Sequence, residues 1–207
     1  YFSLLNGVVE MDIIDELAYD VRTLGNHEFD KKMTCLNDML TWSDAPVVAS
    51  NYDFTKTSLA TRIEPSMIIE KNGLKVGFIG LNVKLDNLVA PSSREGVEWQ
   101  NAINVADNLA QDLRNRGADM VIALSHLGYE KNSTEVYYDR GIALNTRHID
   151  MIIGGHSHTF LNYADYVKNK DNESIPVVQT GSKGICLGYA KVKLNAGGQP
   201  SFTYRLI

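Results

Sequence analysis

Continuous apolar runs that stop abruptly at polar groups constrain this chain more than any other feature. "DMVIALSHLGYE" stops at Ser125-His126, and "IDMIIGGHSHTF" stops at Gly154-Gly155-His156. Strands apolar on both sides must be covered on both faces, as parallel strands in α/β sheets are. Segments with helical periodicity lie between such runs. Residues 102–116 set Ile103, Ala106, Leu109, Ala110 and Leu113 on one face, and Gly117 follows where a helix end favours positive φ. The same spacing predicts helices over about residues 7–18, near Met33–Trp42 and around Ser133–Asn145. The alternation predicts an α/β fold with a largely parallel sheet.

Shorter features fill in the rest. A strand is expected to end at Leu24 and another to cover Pro46–Ala49. Two apolar runs flank Asn72-Gly73, the pair a type I′ hairpin turn prefers because both residues tolerate positive φ. From "IPVVQTGSKG" onward, Gly-punctuated alternation predicts antiparallel strands without helices. No repeat, low-complexity stretch or linker divides the chain, so residues 1–207 are expected to form one domain.

The net charge of −5 offers no basic footprint for nucleic acid or an anionic membrane. No apolar run approaches the roughly 18 residues that a membrane span needs. Cys35 and Cys186 form neither a zinc spacing nor a disulfide framework. The opening "YFSLLNGVVEMDIIDELAYD" has no initiator Met and no charged stretch ahead of an apolar one, so it reads as the middle of a domain, N-terminally incomplete.

His27, His126, His156 and His158 each follow the end of a predicted strand. Ligands of open α/β sheets bind beyond the carboxyl ends of strands, so three strand ends aim imidazoles at one edge. A single such histidine is ordinarily a hydrogen-bonded structural residue. Three strand ends sharing the feature point instead to a metal, for which neutral imidazole is a common ligand and the Asn26 carboxamide a suitable complement. If the "HSH" segment is extended, His156 and His158 face the same way and Ser157 the other. His148 precedes a strand and falls at the opposite edge.

Taken in order, "GNHEFD", "ALSHLG" and "IIGGHSHT" resemble the calcineurin-like metallophosphoesterase superfamily, and Phe29-Asp30 with "SNYDF" is most similar to its 5′-nucleotidase branch. The resemblance runs from about Leu4 to the last strands. It implies a two-sheet β-sandwich flanked by helices, with two divalent ions of the Zn, Mn, Fe, Co or Mg class. It implies hydrolysis of phosphate monoesters, 5′-nucleotides foremost, by a metal-activated water, with cyclic nucleotides or nucleotide sugars as the alternative. A non-catalytic module with an incomplete metal site is the rival of another class. By this resemblance Asn26, His126 and His156 bind one ion and His158 the other. His27 contacts the phosphate as the catalytic imidazole, Asp30 orients it, and Glu28 accepts backbone amides without binding metal.

The resemblance also shows departures. The family's Asp-x-His strand and Gly-Asp segment, upstream of its GNHE, have no counterpart before His27. At most one ion is therefore expected on these residues, with little activity from them alone. The family's separate C-terminal nucleotide-binding domain has no counterpart either, so a further domain or chain is an expected partner beside the phosphate ester. A periplasmic or cell-surface location is implied by the family only.

Overall fold

The computed structural model describes residues 2–130, 136–195 and 200–207. Helices α1 (Phe2–Leu5), α2 (Val8–Glu16) and α3 (Met33–Trp42) come first. Strands β1 (Tyr52–Asp53), β2 (Ser66–Lys71), β3 (Leu74–Asn82) and β4 (Glu98–Trp99) lead to helix α4 (Ala102–Asn115) and strand β5 (Met120–His126). Helix α5 (Asp139–Asn145) is followed by β6 (Met151–Gly154), β7 (Asp165–Lys168), β8 (Ser174–Gln179), β9 (Gly188–Leu194) and β10 (Pro200–Leu206).

A six-stranded mixed sheet ordered β2-β3-β5-β6-β8-β7 forms the centre. Strands β3, β5, β6 and β8 run parallel, while β2 and β7 close the two sides antiparallel. The hairpin predicted at Asn72-Gly73 joins β2 to β3, with φ 54° and 76° at the two turn residues. Gly117, at φ 89°, ends α4 as its sequence position suggests.

Alternation along the inner strands sorts the core into two layers. Val121, Ala123, Ile152 and Val177 point toward α4 and α5, where Ala102, Ala106, Ala110, Leu113 and Ile142 are fully buried. Their neighbours Met120, Ile122, Met151, Ile153 and Val178 face the other way, onto Val192, Phe202 and Tyr204 of the β9–β10 hairpin. That hairpin supplies part of the second layer. The remainder is the chain around Arg22, Val47 and Glu64, tied by single bridges from Arg22 to Val47 and from Val48 to Glu64. A third cluster, including Leu24, Phe29, Leu36, Met39 and Tyr52, fastens the N-terminal third to these segments.

Several expectations are corrected. The segments ending at Leu24 and covering Pro46–Ala49 make single bridges, not strands, with side chains adding to a few backbone bonds. Thr23 Oγ1 donates to Val48 O at 2.8 Å, and Ser50 Oγ donates to Pro65 O at 2.5 Å and accepts from Gly80 N. The helix expected from Ser133 begins only at Asp139, whose N–H donates to Gly128 O instead of to a preceding turn; positions 133–135 lie outside the described residues. The "IPVVQ" run belongs to the central sheet, parallel to β6, since Ile175, Val177 and Val178 are buried between β6 and β7.

Candidate metal centre

The carboxyl ends of β3, β5, β6 and β8 meet at one edge, where Asn82 sits opposite His126 and Gly154 opposite Gln179. The turn after Leu24 folds onto that edge. Buried Asn82 draws it in by donating from Nδ2 to Leu24 O, while Asn51 holds the Asn82 backbone through both its N–H and its carbonyl. Glu28 completes the turn by accepting the Gly25 N–H at 2.6 Å.

This arrangement brings three of the candidate residues together. The Asn26 Oδ1 atom lies 3.1 Å from His126 Nε2 and 3.1 Å from His156 Nδ1. The two rings stand 5.1 Å apart between centroids, tilted 62° to each other. Donors around one ion at 2.0–2.2 Å are separated by roughly 2.8–3.6 Å in octahedral or tetrahedral coordination, and the two measured gaps fall in that range. Burial, and secondarily the neighbouring histidines, push His126 down to about 4; burial and then His158 and His27 lower His156 as well. Both shifts favour the unprotonated form of the imidazole, the form that binds cations. The residues present therefore fit a divalent ion. Among the described residues no three His, Cys, Asp or Glu side chains converge, so an ion held at this point would need the Asn26 carboxamide as well.

Glycines allow this closeness. A Cβ on Gly25 would fall 2.7 Å from His126 Cε1, and one on Gly155 3.1 Å from His126 Nδ1. Gly154 is required for another reason: its Cβ would strike Asp139 Oδ2 at 2.1 Å. Asp139 is fully buried, its Oδ1 accepting from Ser125 Oγ at 2.5 Å and its Oδ2 unpartnered. Burial lifts this carboxyl to about 7 against the opposing Ser125 hydroxyl.

His27 and His158 stand at the rim, both exposed. His27 opens a short 3-10 turn, His27–Phe29, and its Nδ1 is 2.7 Å from Asp30 Oδ2. Asp30 caps no helix, since α3 starts after Lys32 without a side-chain cap. The "HSH" segment is not extended: His156 has φ 71° and His158 φ 55°, both left-handed. The alternation argument thus fails there, and the two imidazoles are aimed by backbone turns. What holds the turns is Gln179, together with Ser157. The Gln179 Nε2 donates to Gly155 O, and its Oε1 accepts from Thr159 N and Ser157 Oγ. Sequence reading missed Gln179, Asp139 and Asn82; an isolated amide or acid inside an apolar run was the only available signal.

Comparison with known proteins places the chain in a family. The family described as bacterial capsule synthesis protein PGA_cap matches residues 9–175. A snake venom 5′-nucleotidase of Gloydius brevicauda is 31% identical over 93% of this chain and 34% of its own length. The chain spans about a third of that relative. Among solved structures, a 5′-nucleotidase precursor from Thermus thermophilus superposes with a TM-score of 0.87 at 26% identity, covering 100% of this chain and 42% of that one. An NAD nucleotidase of Haemophilus influenzae also gives 0.87, at 27% identity, covering 99% and 38%.

Proposed function

Because the chain belongs to the PGA_cap family and, with the 5′-nucleotidases, to the calcineurin-like phosphoesterases, we propose that it forms the metal-binding part of an enzyme hydrolysing 5′-nucleotides. The observation that carries this reading is the convergence of Asn26, His126 and His156 on one point at the carboxyl edge of the sheet. These three would hold one divalent ion, and His158 would contribute to a second. Such ions supply Lewis acidity at the phosphoryl group and a more acidic water.

The remaining roles belong to side chains. His27 is exposed at the rim, where a phosphate ester can reach it, and Asp30 fixes its ring through Nδ1, leaving Nε2 free to face the ester. An imidazole so placed stabilises negative charge developing on the phosphoryl oxygens. Glu28 stays with the Gly25 amide and takes no part in the chemistry. The substrate is a small phosphate ester; no described helix is long and apolar enough to cross a membrane, and a periplasmic or cell-surface setting follows the family likeness.

The test has two arms. Titration of the 207-residue chain with Co²⁺ should show one ion, lost on Asn26→Ala or His156→Ala; two tightly held ions would overturn the assignment of donors. In the protein that carries this chain, His27→Asn should lower kcat on a nucleoside monophosphate by roughly 10²–10⁴ with metal content unchanged. Loss of metal in that variant would make His27 a ligand.

A further inference from the structure

The "GGHSHT" turn holds two non-glycine residues, His156 and His158, in the left-handed region within three positions. Such a conformation is disfavoured for any side chain with a Cβ and persists only when its surroundings over-determine it. Besides the backbone bonds Ser157 N to Gly155 O and Gly181 N to Thr159 O, one side chain spans the turn. Gln179 closes β8 with 1% of its surface exposed, and its amide reaches the turn on both sides of the histidines. Nε2 donates to Gly155 O at 2.9 Å, immediately before His156. Oε1 accepts from Thr159 N at 2.6 Å, immediately after His158, and from Ser157 Oγ, between them, at 3.1 Å.

The supporting bonds converge on the same residue. Ser157 Oγ contacts Thr159 Oγ1 at 2.9 Å and accepts from Tyr129 N at 2.8 Å, so the loop after β5 is tied to the turn after β6. The Gln179 backbone carbonyl accepts from Leu161 N at 3.1 Å, and from the Tyr204 hydroxyl of β10 at 3.4 Å, which anchors its main chain at the sheet end. A rigid sheet end therefore dictates the turn.

We propose that Gln179 is the positioning residue of this centre: one buried amide holds the backbone before and after His156 and His158 and the Ser157 hydroxyl between them, and thereby sets the direction of both imidazoles. It touches neither ring and is not catalytic. The consequence for metal affinity rests on the metal reading given above; the consequence for the turn does not.

Two substitutions separate these. Gln179→Met keeps length and loses every hydrogen bond of the amide, whereas Gln179→Glu keeps the acceptors for Thr159 N and Ser157 Oγ and loses the donor to Gly155 O. In metal-free protein, hydrogen exchange at the Thr159 amide and the backbone couplings of His156 and His158 report the turn directly. Gln179→Met should raise Thr159 exchange at least tenfold and average the two couplings, with Gln179→Glu intermediate. With Co²⁺ added, Gln179→Met should weaken binding about 10–100-fold, the usual effect of removing an outer support of metal ligands, and alter the cobalt absorption spectrum. Should the unsubstituted chain bind no Co²⁺, the metal reading fails, and Thr159 exchange alone decides for or against the role of Gln179. Unchanged exchange and couplings in Gln179→Met overturn the proposal, whatever the metal affinity does. If the Met variant does not fold, the same comparison is made with Gln179→Glu, for which an unchanged His156 coupling, beside the lost bond to Gly155 O, is equally fatal.

Discussion

At the scale of single residues, this centre is defined as much by missing side chains as by present ones. Gly25 is buried with no positive φ to explain it; its reason is the His126 ring against its Cα. Adding one methyl there forces the ring to move, because the Cβ would lie 2.7 Å and 2.8 Å from Cε1 and Nε2. The atom displaced is the one facing Asn26 Oδ1. Gly25→Ala should therefore weaken Co²⁺ binding at least tenfold while lowering the unfolding free energy by only about 1–3 kcal/mol, the usual cost of crowding a packed site. Calorimetric titration beside urea unfolding checks both; unimpaired binding would show that His126 can donate from elsewhere.

At the scale of elements, Asp139 joins the start of α5 to the ends of β5 and β6 through its backbone, Ser125 and the surface of Gly154. Its carboxyl is raised by burial from 3.8 to about 7. The folded state therefore binds an extra proton between those values, and stability falls as pH rises through that window, then levels off above about 7. The effect is on the order of a few kcal/mol. Asparagine keeps the acceptor for Ser125 Oγ and has no proton to lose. Whatever constant cost its NH₂ group brings, Asp139→Asn should remove this part of the pH dependence. Urea unfolding at pH 5 and pH 7.5 measures it: the native protein should lose more stability between the two than the variant. Equal losses would mean that Asp139 is ionised at no cost, through a partner supplied by solvent.

At the scale of the whole molecule, two layers of unequal strength sandwich the sheet. The helical side is a continuous cluster of buried residues from α4, α5 and five strands. The other side relies on a two-stranded hairpin anchored by Val192, Phe202 and Tyr204, none of them fully buried. Phe202→Ala should cost roughly 2–4 kcal/mol locally and release the hairpin before the sheet. Hydrogen exchange should then quicken across 188–194 while β5 amides stay protected. Uniform acceleration would show a single cooperative unit.

Much of this design was written in the chain itself. Helix α4, the Asn72-Gly73 hairpin and the parallel runs ending at His126 and Gly154 follow from periodicity, turn chemistry and two-sided apolarity, which are local properties of a sequence. So does the presence of imidazoles beyond those runs, since a strand that stops at a polar group must present it at the sheet edge. Tertiary structure decided the rest. It reduced two expected strands to single bridges, with Thr23 and Ser50 side chains bonding to carbonyls of segments distant in sequence. It placed β8 inside the sheet, where burial on both faces and not alternation governs. It also turned His156 and His158 by left-handed backbone instead of strand geometry, a conformation no histidine prefers by itself. Such a turn carries bonds to Gln179, more than twenty positions later in sequence, and a side chain's distant partner is fixed only when the whole sheet has formed.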